Sequence, residues 1–227
     1  MISLPLAALA FIGIHLGVSG SSLRTALVSR LGLGAYMIGF SVASVAAMVW
    51  LVSAYNAADY HLTWGRLEWW KPFAIALMLP AFVLVVVGLA TPKNPTAVGQ
   101  EAQINQPATG MLRITRHPFL VGSALWAAVH LVGNGDLAST LFFASLLIVA
   151  AAGTVSIDAK RRQALGAPAW DAFARQTSII PFGAIVSGRN HLSLAEIGWW
   201  RLALGILAYV LFLGGHKHIV GVSPFPW

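Results

Sequence analysis

The sequence predicts an all-α fold: a polytopic membrane helix bundle of about six transmembrane helices, with one or two interfacial amphipathic helices. Three observations carry this. The 227-residue chain is 58% hydrophobic and only 9% charged, against about 25% charged for an ordinary soluble domain. Its apolar residues fall into runs of roughly the length that crosses a bilayer core, about twenty residues. Its Lys and Arg residues flank those runs, where they act as topology anchors.

The same placement decides what the net charge of +7 means. A basic chain of this size suits nucleic acid when its cations cluster on a polar face; here they border greasy segments, so no nucleic-acid partner is expected. A mean hydropathy of +0.76 agrees. With no cysteine, disulfides, thiolate catalysis and covalent c-type haem attachment are excluded. The chain reads as one membrane domain over residues 1–227.

Six candidate spans follow in order: 2–19, 33–55, 73–91, 118–134, 138–157 and 197–214. The first lacks the basic start of a cleaved signal peptide and reads as a retained span. After it, GSSLRTALVSRLG forms a short amphipathic helix with Ser21 or Ser22 as N-cap. The second span is rich in Gly, Ala and Ser, which let membrane helices approach closely, so it is expected inside the bundle. The connector 56–72 holds Trp64, Trp69 and Trp70 beside Arg66, Glu68 and Lys71, an interfacial composition. Pro80 is expected to kink the third span.

The connector 92–117 carries enough Pro and Gly to read as a loop without regular structure. Pro118 then suits the first turn of the fourth span, because its missing N–H would be unpaired there anyway. Gly133-Asn134-Gly135-Asp136 makes a tight turn into the fifth span. In residues 158–196, the spacing of Leu165, Trp170, Phe173 and Ile179 predicts one helix on the membrane face, stopping before Pro181. The tail from Gly214 reads as a short solvated segment in which His216 and His218 are exposed.

Eleven of the fourteen Lys and Arg fall on one side of this six-span arrangement. By the positive-inside rule that side is cytoplasmic, so both termini are expected to be periplasmic, in a bacterial inner membrane.

Seven histidines against seven carboxylates is a high share for so apolar a chain. His61 and His191 fall in interfacial or polar segments and need no special role. His15 and His130 lie within apolar spans, where an ionisable side chain is a functional-site hypothesis by default. One reading is a neutral imidazole bonded to a helix carbonyl; the other is metal ligation, since neutral imidazole suits iron, copper and zinc. Two histidines from different helices, among aromatic and small apolar residues, is what a bis-histidine b-type haem requires. In straight helices the heights of His15 and His130 differ by roughly 8–12 Å, so either tilt brings them level or His117 partners one of them. Arg113, Arg116 and His117, at the mouth of the fourth span, suit a propionate or phosphate group, or else anchor the topology.

The run TRHPFLVGSALWAAVHLVGNGDLAST with the following DAKRR resembles the signature of the NnrU family. IHLGVSGSSLR near the start and GAYMIGFSVASVAAMVWLVSAYN in the second span extend the likeness over nearly the whole chain. These are bacterial membrane proteins associated with nitrite and nitric oxide metabolism, and the family includes the 15-cis-zeta-carotene isomerases of plants and cyanobacteria. The resemblance implies a multi-span protein with a b-type haem, ligated by His15 in IHLG and His130 in AAVHLVGNGD, with His117 of TRHP in reserve. It implies a redox-linked cis–trans isomerase of a carotenoid-like polyene, or a relative tied to nitrogen-oxide metabolism. A non-enzymatic haem carrier or assembly factor fits the same residues.

A looser resemblance is to the isoprenylcysteine and phospholipid methyltransferases, which have an RHP segment opening a membrane helix and a stretch like AWDAFARQTSIIPF. Those enzymes bind S-adenosylmethionine with paired glutamates. This chain has Asp158 and then Lys160-Arg161-Arg162 in the matching region, a departure that weakens the methyltransferase alternative.

Overall fold

The computed structural model describes residues 2–97 and 100–225. It is helical throughout its long elements. These are α1 (Ser3–Ile12) continued by a π-helical segment (Gly13–Val18), α2 (Ser22–Leu31), α3 (Leu33–Asn56) and α4 (Lys71–Ala90), followed by α5 (Met111–Ile114) and α6 (Pro118–Asn134). Then come α7 (Leu137–Leu165), α8 (Ala167–Gln176), α9 (Gly183–Val186), α10 (Leu194–Ile197) and α11 (Trp199–Val220).

Among the described residues four helices are long and apolar enough to cross a membrane: Leu33–Asn56, Glu68–Ala90, Leu137–Leu165 and Trp199–Val220. Ser3–Val18 with Ser22–Leu31, bent by 75°, makes a fifth if taken as one span. The remaining apolar helix, α6, has 17 residues, about 25 Å at the usual rise. The expected six spans therefore become four or five by length and composition, because α1 and α6 are short for the task.

Two packing groups meet along α6 and α7. In the first, Leu4, Ala7, Ala8 and Phe11 of α1 pack with Ala47, Leu51 and Ala54 of α3 and with Ala138, Phe142 and Phe143 of α7. The spacing of these residues puts them on one face of each helix. In lipid the stabilisation comes from van der Waals fit rather than removal from water. The second group has α4 at its centre. A Cβ on Gly122 of α6 would lie 2.8 Å from the Ala81 carbonyl oxygen, and one on Gly205 of α11 would lie 3.0 Å from Val83 Cα. Glycine at these two points lets α6 and α11 close on α4.

This reverses one expectation. α3, the Gly/Ala/Ser-rich span, is at the edge: Gly34 and Gly39 face open space, and Ile38, Val42, Val45 and Val49 are exposed. Its glycines do not mark the interior, where only Ala47, Leu51 and Ala54 on one face of α3 pack; the glycines of α6 and α11 do. Pro80 stands exposed within α4, which continues as one helix on either side of it.

At one face the connector after α3 clasps the α6–α7 turn. Thr63 and Gly65 donate backbone N–H groups to the Gly135 carbonyl at 3.0 and 2.9 Å, and Leu137 donates to His61 at 2.8 Å. Gly135 is left-handed at φ +62 and its Cα meets the Gly65 backbone so closely that no side chain fits. The Asp136 side chain caps α7 by accepting from Ser139 N–H at 2.8 Å, as a helix start requires. The start of α1 reaches this face too, since Leu4 and Pro5 line one cavity with Leu137 and Ala138. So does the end of α11, because Lys71 donates to the Phe225 carbonyl at 3.2 Å.

The opposite face is built from the two segments between spans. The connector 92–117 is more ordered than its composition suggests, with a 3₁₀ turn at Glu101–Asn105 and the buried helix α5. The predicted surface helix is shorter than expected: Gly166, at φ +86, separates α7 from α8, and α8 ends at Gln176. Trp170 and Phe173 of α8 pack on Ile104, Ala108 and Leu112, so its apolar face is covered by protein. α2 begins as expected, with Ser21 Oγ accepting from Leu23 N–H at 3.2 Å.

Candidate functional site

A cavity of about 260 Å³ lies between α4, α6 and α11 near the clasped face. Its walls are apolar: Ile75, Met78 and Phe82 from α4, Trp126 and Val129 from α6, Phe212 and Leu213 from α11. Phe82 packs on Tyr209 and Phe212, with ring centroids 6.2 and 5.3 Å apart. Tyr209 donates to the Ile75 carbonyl at 3.1 Å. Trp70 closes one side, donating through Nε1 to the Val129 carbonyl at 3.0 Å. Arg66, Glu68 and Lys71 stand at the rim, with Lys71 and Glu68 paired at 2.7 Å.

Two imidazoles look into this apolar space, His130 and His216. His130 is half-buried on α6, where its Nδ1 is 2.9 Å from the Trp126 carbonyl. A carbonyl only accepts, so Nδ1 carries the proton and Nε2 keeps its lone pair. The His130 ring stacks on Phe143 at 5.0 Å and leans on Trp126 at 4.9 Å. His216 belongs to α11, which runs through to Val220. The solvated tail expected from Gly214 onward thus begins with about two more helical turns, and His216 is a wall of the cavity rather than an exposed tail residue. Its Nδ1 donates to the Val222 carbonyl at 2.7 Å, so its Nε2 is also an acceptor. The two rings have centroids 6.4 Å apart and planes 20° apart.

His15 occupies the π-helical segment in the other packing group. Its Nδ1 donates to the Phe11 carbonyl at 2.8 Å, and its ring neighbours are Phe11 at 4.3 Å and Phe40 at 5.7 Å. α1 and α7 run parallel: Leu4 and Ala138 line one cavity, and Lys160 donates to the Ser19 carbonyl at 3.1 Å. Interpolating between those points puts His15 about 10–15 Å from the level of Phe143 and His130. His15 and His130 are thus both anchored through Nδ1, but they have separate neighbours.

His117 and the two arginines lie at the far end of α6. His117 is buried, 3% exposed, and stands at the N-cap position with Pro118 as the first helical residue, as the sequence suggested. Its Nε2 is 2.7 Å from Asp158 Oδ1; the carboxylate accepts, so Nε2 carries the proton. Arg116 donates to the other oxygen of Asp158 from Nε at 2.9 Å and from a terminal nitrogen at 2.6 Å. Arg113 grips Glu196 with two bonds, at 2.7 and 2.9 Å, and also donates to Asn190 Oδ1. Glu196 accepts a further bond from Gly110 N–H at 2.9 Å. Arg113 and that N–H hold the Glu196 carboxyl at about 2, below its ordinary 4.5. Both guanidiniums are therefore engaged by carboxylates of the chain itself, and the RHP segment serves to tie α6 to α7 and α5 to α10.

The comparisons with known proteins agree with this architecture. The model of the NnrU protein family matches residues 3–224. The chain belongs to the NnrU family. Two curated relatives are similar over 84 residues at 32% identity: the chloroplastic 15-cis-zeta-carotene isomerases of Zea mays and Arabidopsis thaliana. In each case the match covers 37% of this chain and 23% of the relative. The chain thus spans about a quarter of the length of the curated relatives it matches. No solved structure matches.

Donor chemistry decides whether an NnrU chain of this sequence suits a haem. Among the described residues no three His, Asp or Glu side chains gather where a bare metal ion would sit. A haem would need histidine side chains rather than such a cluster. His15, His130 and His216 each have Nδ1 fixed to a backbone carbonyl, the outer-shell bond that orients a ligating histidine. The residues fit the group. Sequence reasoning missed His216 because the apolar count stops at Gly214. The i−4 pairing of an aromatic residue with each buried histidine, Phe11 with His15 and Trp126 with His130, was legible and went unused.

Proposed function

We propose that this NnrU protein is a membrane-embedded cis–trans isomerase of a carotenoid-like polyene, with haem b as cofactor. The observation that carries the reading is the apolar cavity between α4, α6 and α11 with imidazoles in its wall, in a chain similar to two carotene isomerases. About 260 Å³ is at the small end of ligand sites, roughly 300–1,000 Å³, so a long polyene is held by one segment with the rest in lipid. Phe82, Tyr209 and Phe212 grip that segment by ring contact, and Trp70 and Trp126 exclude water from it. His130 would supply one ligand to the iron. When bound beside the polyene, haem would supply redox chemistry. Arg66 and Lys71 at the rim suit its carboxylates.

The reading takes the chain as a bacterial cytoplasmic-membrane protein with both termini periplasmic. It is supported by eleven of fourteen cations lying away from the clasped face, to which the start of α1 and the end of α11 both come.

The test is turnover in lipid nanodiscs containing a 15-cis polyene, with reductant, followed by chromatography of the isomers. Conversion to the trans form that requires both haem and reduction supports the reading. A haem-replete protein that converts nothing leaves the electron-carrier or assembly role. Specific S-adenosylmethionine binding with no haem would move the protein to the methyltransferase class.

A further inference from the structure

We infer that the bend between α1 and α2 holds the phosphate of an anionic phospholipid, gripped by Lys160 and Arg24 on the face opposite the clasp.

The cations come first. Lys160 reaches from α7 to the end of the π-helical segment, where Nζ donates to the Ser19 carbonyl at 3.1 Å and to Ser19 Oγ at 3.2 Å. Arg24, in the first turn of α2, is near enough for its charge to act on that of Lys160. Among the described residues neither is paired with a carboxylate, unlike Arg113, Arg116 and Arg162. Asp158, two residues before Lys160, is taken by Arg116 and His117. Two half-buried cations held together without a counter-ion repel each other, and an anion between them reverses the sign of the interaction.

Unmet hydrogen bonds mark the same place. Tyr36 is 5% exposed and lies under Arg24, whose guanidinium is 5.6 Å from the ring centre. The Tyr36 hydroxyl is shut off from solvent and has no partner. Ser156 Oγ, one turn before Lys160 on α7, is likewise buried without a partner. It stands beside Gly20, where an added Cβ would lie 3.2 Å from it. Buried hydroxyls left in this way are costly, and phosphate oxygens accept from hydroxyl, guanidinium and ammonium alike. The ten-residue α2 begins at the same point, where backbone N–H groups favour an anion.

The apolar surroundings select a lipid over free phosphate. The chain turns by 75° at this bend, and Leu23, Leu31 and Leu33 are exposed along and just beyond α2. Acyl chains would cover them while the headgroup sits among the cations.

The experiment is native mass spectrometry of the full chain released from detergent, with phosphatidylglycerol or phosphatidylcholine added and inorganic phosphate as competitor. The variants are Arg24→Gln, Lys160→Gln, Tyr36→Phe and Arg30→Gln, the last removing an exposed cation of the same helix away from the bend. The expected result is retention of phosphatidylglycerol, but not phosphatidylcholine, by the wild type and Arg30→Gln. Affinity falls about tenfold or more in Arg24→Gln and Lys160→Gln, and measurably in Tyr36→Phe, which removes a hydroxyl and no charge. Thermal melts without lipid report that each variant is folded. An equal loss in Arg30→Gln assigns the binding to diffuse surface charge and overturns the site. Displacement of the lipid by inorganic phosphate overturns the lipid as its occupant, and equal retention of phosphatidylcholine overturns the part given to the cations.

Discussion

His117 and Asp158, 41 residues apart in the chain, meet at 2.7 Å where α6 begins and α7 leaves the membrane. The pair is well enclosed: the His117 side chain is 1% exposed and that of Asp158 is 15% exposed. Arg116 completes it by closing on the second carboxylate oxygen. Three polar residues thus fix the entry angle of the helix that carries His130.

Removing one partner of such a group leaves charge uncompensated, which costs about 3 kcal/mol or more. Asp158→Asn is expected to lower the melting temperature by about 6 °C or more, at roughly 2–4 °C per kcal/mol for a chain of this size. His117→Ala and Asp158→Ala together should lose less than the sum of the two single changes, the mark of a direct interaction. Thermal melts in detergent measure it, and strict additivity would argue that the contact contributes nothing.

The Arg113–Glu196 pair predicts an acid dependence. The Glu196 carboxyl is held at about 2 in the folded protein, against an ordinary 4.5. A depressed carboxyl stabilises the fold above its unfolded value and loses that contribution as pH falls toward its folded one. The stability difference between wild type and Glu196→Gln is expected to be full at pH 7 and to shrink between about pH 4.5 and pH 2. Partial exposure of the Glu196 side chain keeps the effect modest. Melting curves at stepped pH check it; a gap that widens on acidification would contradict the sign.

Gly122 predicts a steric failure. An added Cβ would stand 2.8 Å from the Ala81 carbonyl oxygen and 2.9 Å from Leu84 Cβ, so Gly122→Ala forces α6 off α4. Overpacking of this kind costs about 1–3 kcal/mol. Gly39→Ala, whose Cβ meets nothing within 4 Å, is the matched control and should be neutral or slightly stabilising. Equal melting temperatures for the two variants would refute the role given to Gly122.

The cavity predicts an effect on turnover rather than folding. Ala74 lines it from α4, and Ala74→Phe fills space needed by the substrate without removing a hydrogen bond. Polyene conversion in nanodiscs is expected to fall tenfold or more, about 1.4 kcal/mol in the barrier, with the haem spectrum unchanged. Val45→Phe, at an exposed position of α3, should convert at the wild-type rate.

Much of this architecture was readable in advance, and the misreadings have physical causes. Pro118 announced the start of α6 and Ser21 the start of α2, because capping chemistry is local and needs no tertiary partner. α5 was not announced: Met111, Leu112 and Ile114 are buried by segments distant in sequence, and a loop composition hides such burial. The small residues of α3 misled because glycine permits close approach without compelling it. In the candidate site, His130 was visible as an ionisable group within an apolar run. His216 was not, since the glycines and Lys217 around it lower local hydropathy although α11 continues through them. The partners of Arg113 and Arg116, Glu196 and Asp158, lie 83 and 42 residues away in the chain and could be found only in three dimensions.

The brevity of α6 has a further consequence for the lipid. Hydrocarbon about 30 Å thick meets a helix of about 25 Å there, beside α7, whose 29 residues start level with the end of α6 and run well past its beginning. Such a mismatch is met by local thinning of the bilayer and disordering of the acyl chains next to the short element. The dimple forms beside the helix that carries His130, so a stiff, elongated hydrocarbon dissolved in the membrane would find its lowest barrier to sideways insertion at the flank of the cavity. Reconstitution in lipids of increasing chain length then becomes a handle on entry alone, separable from anything the imidazoles do.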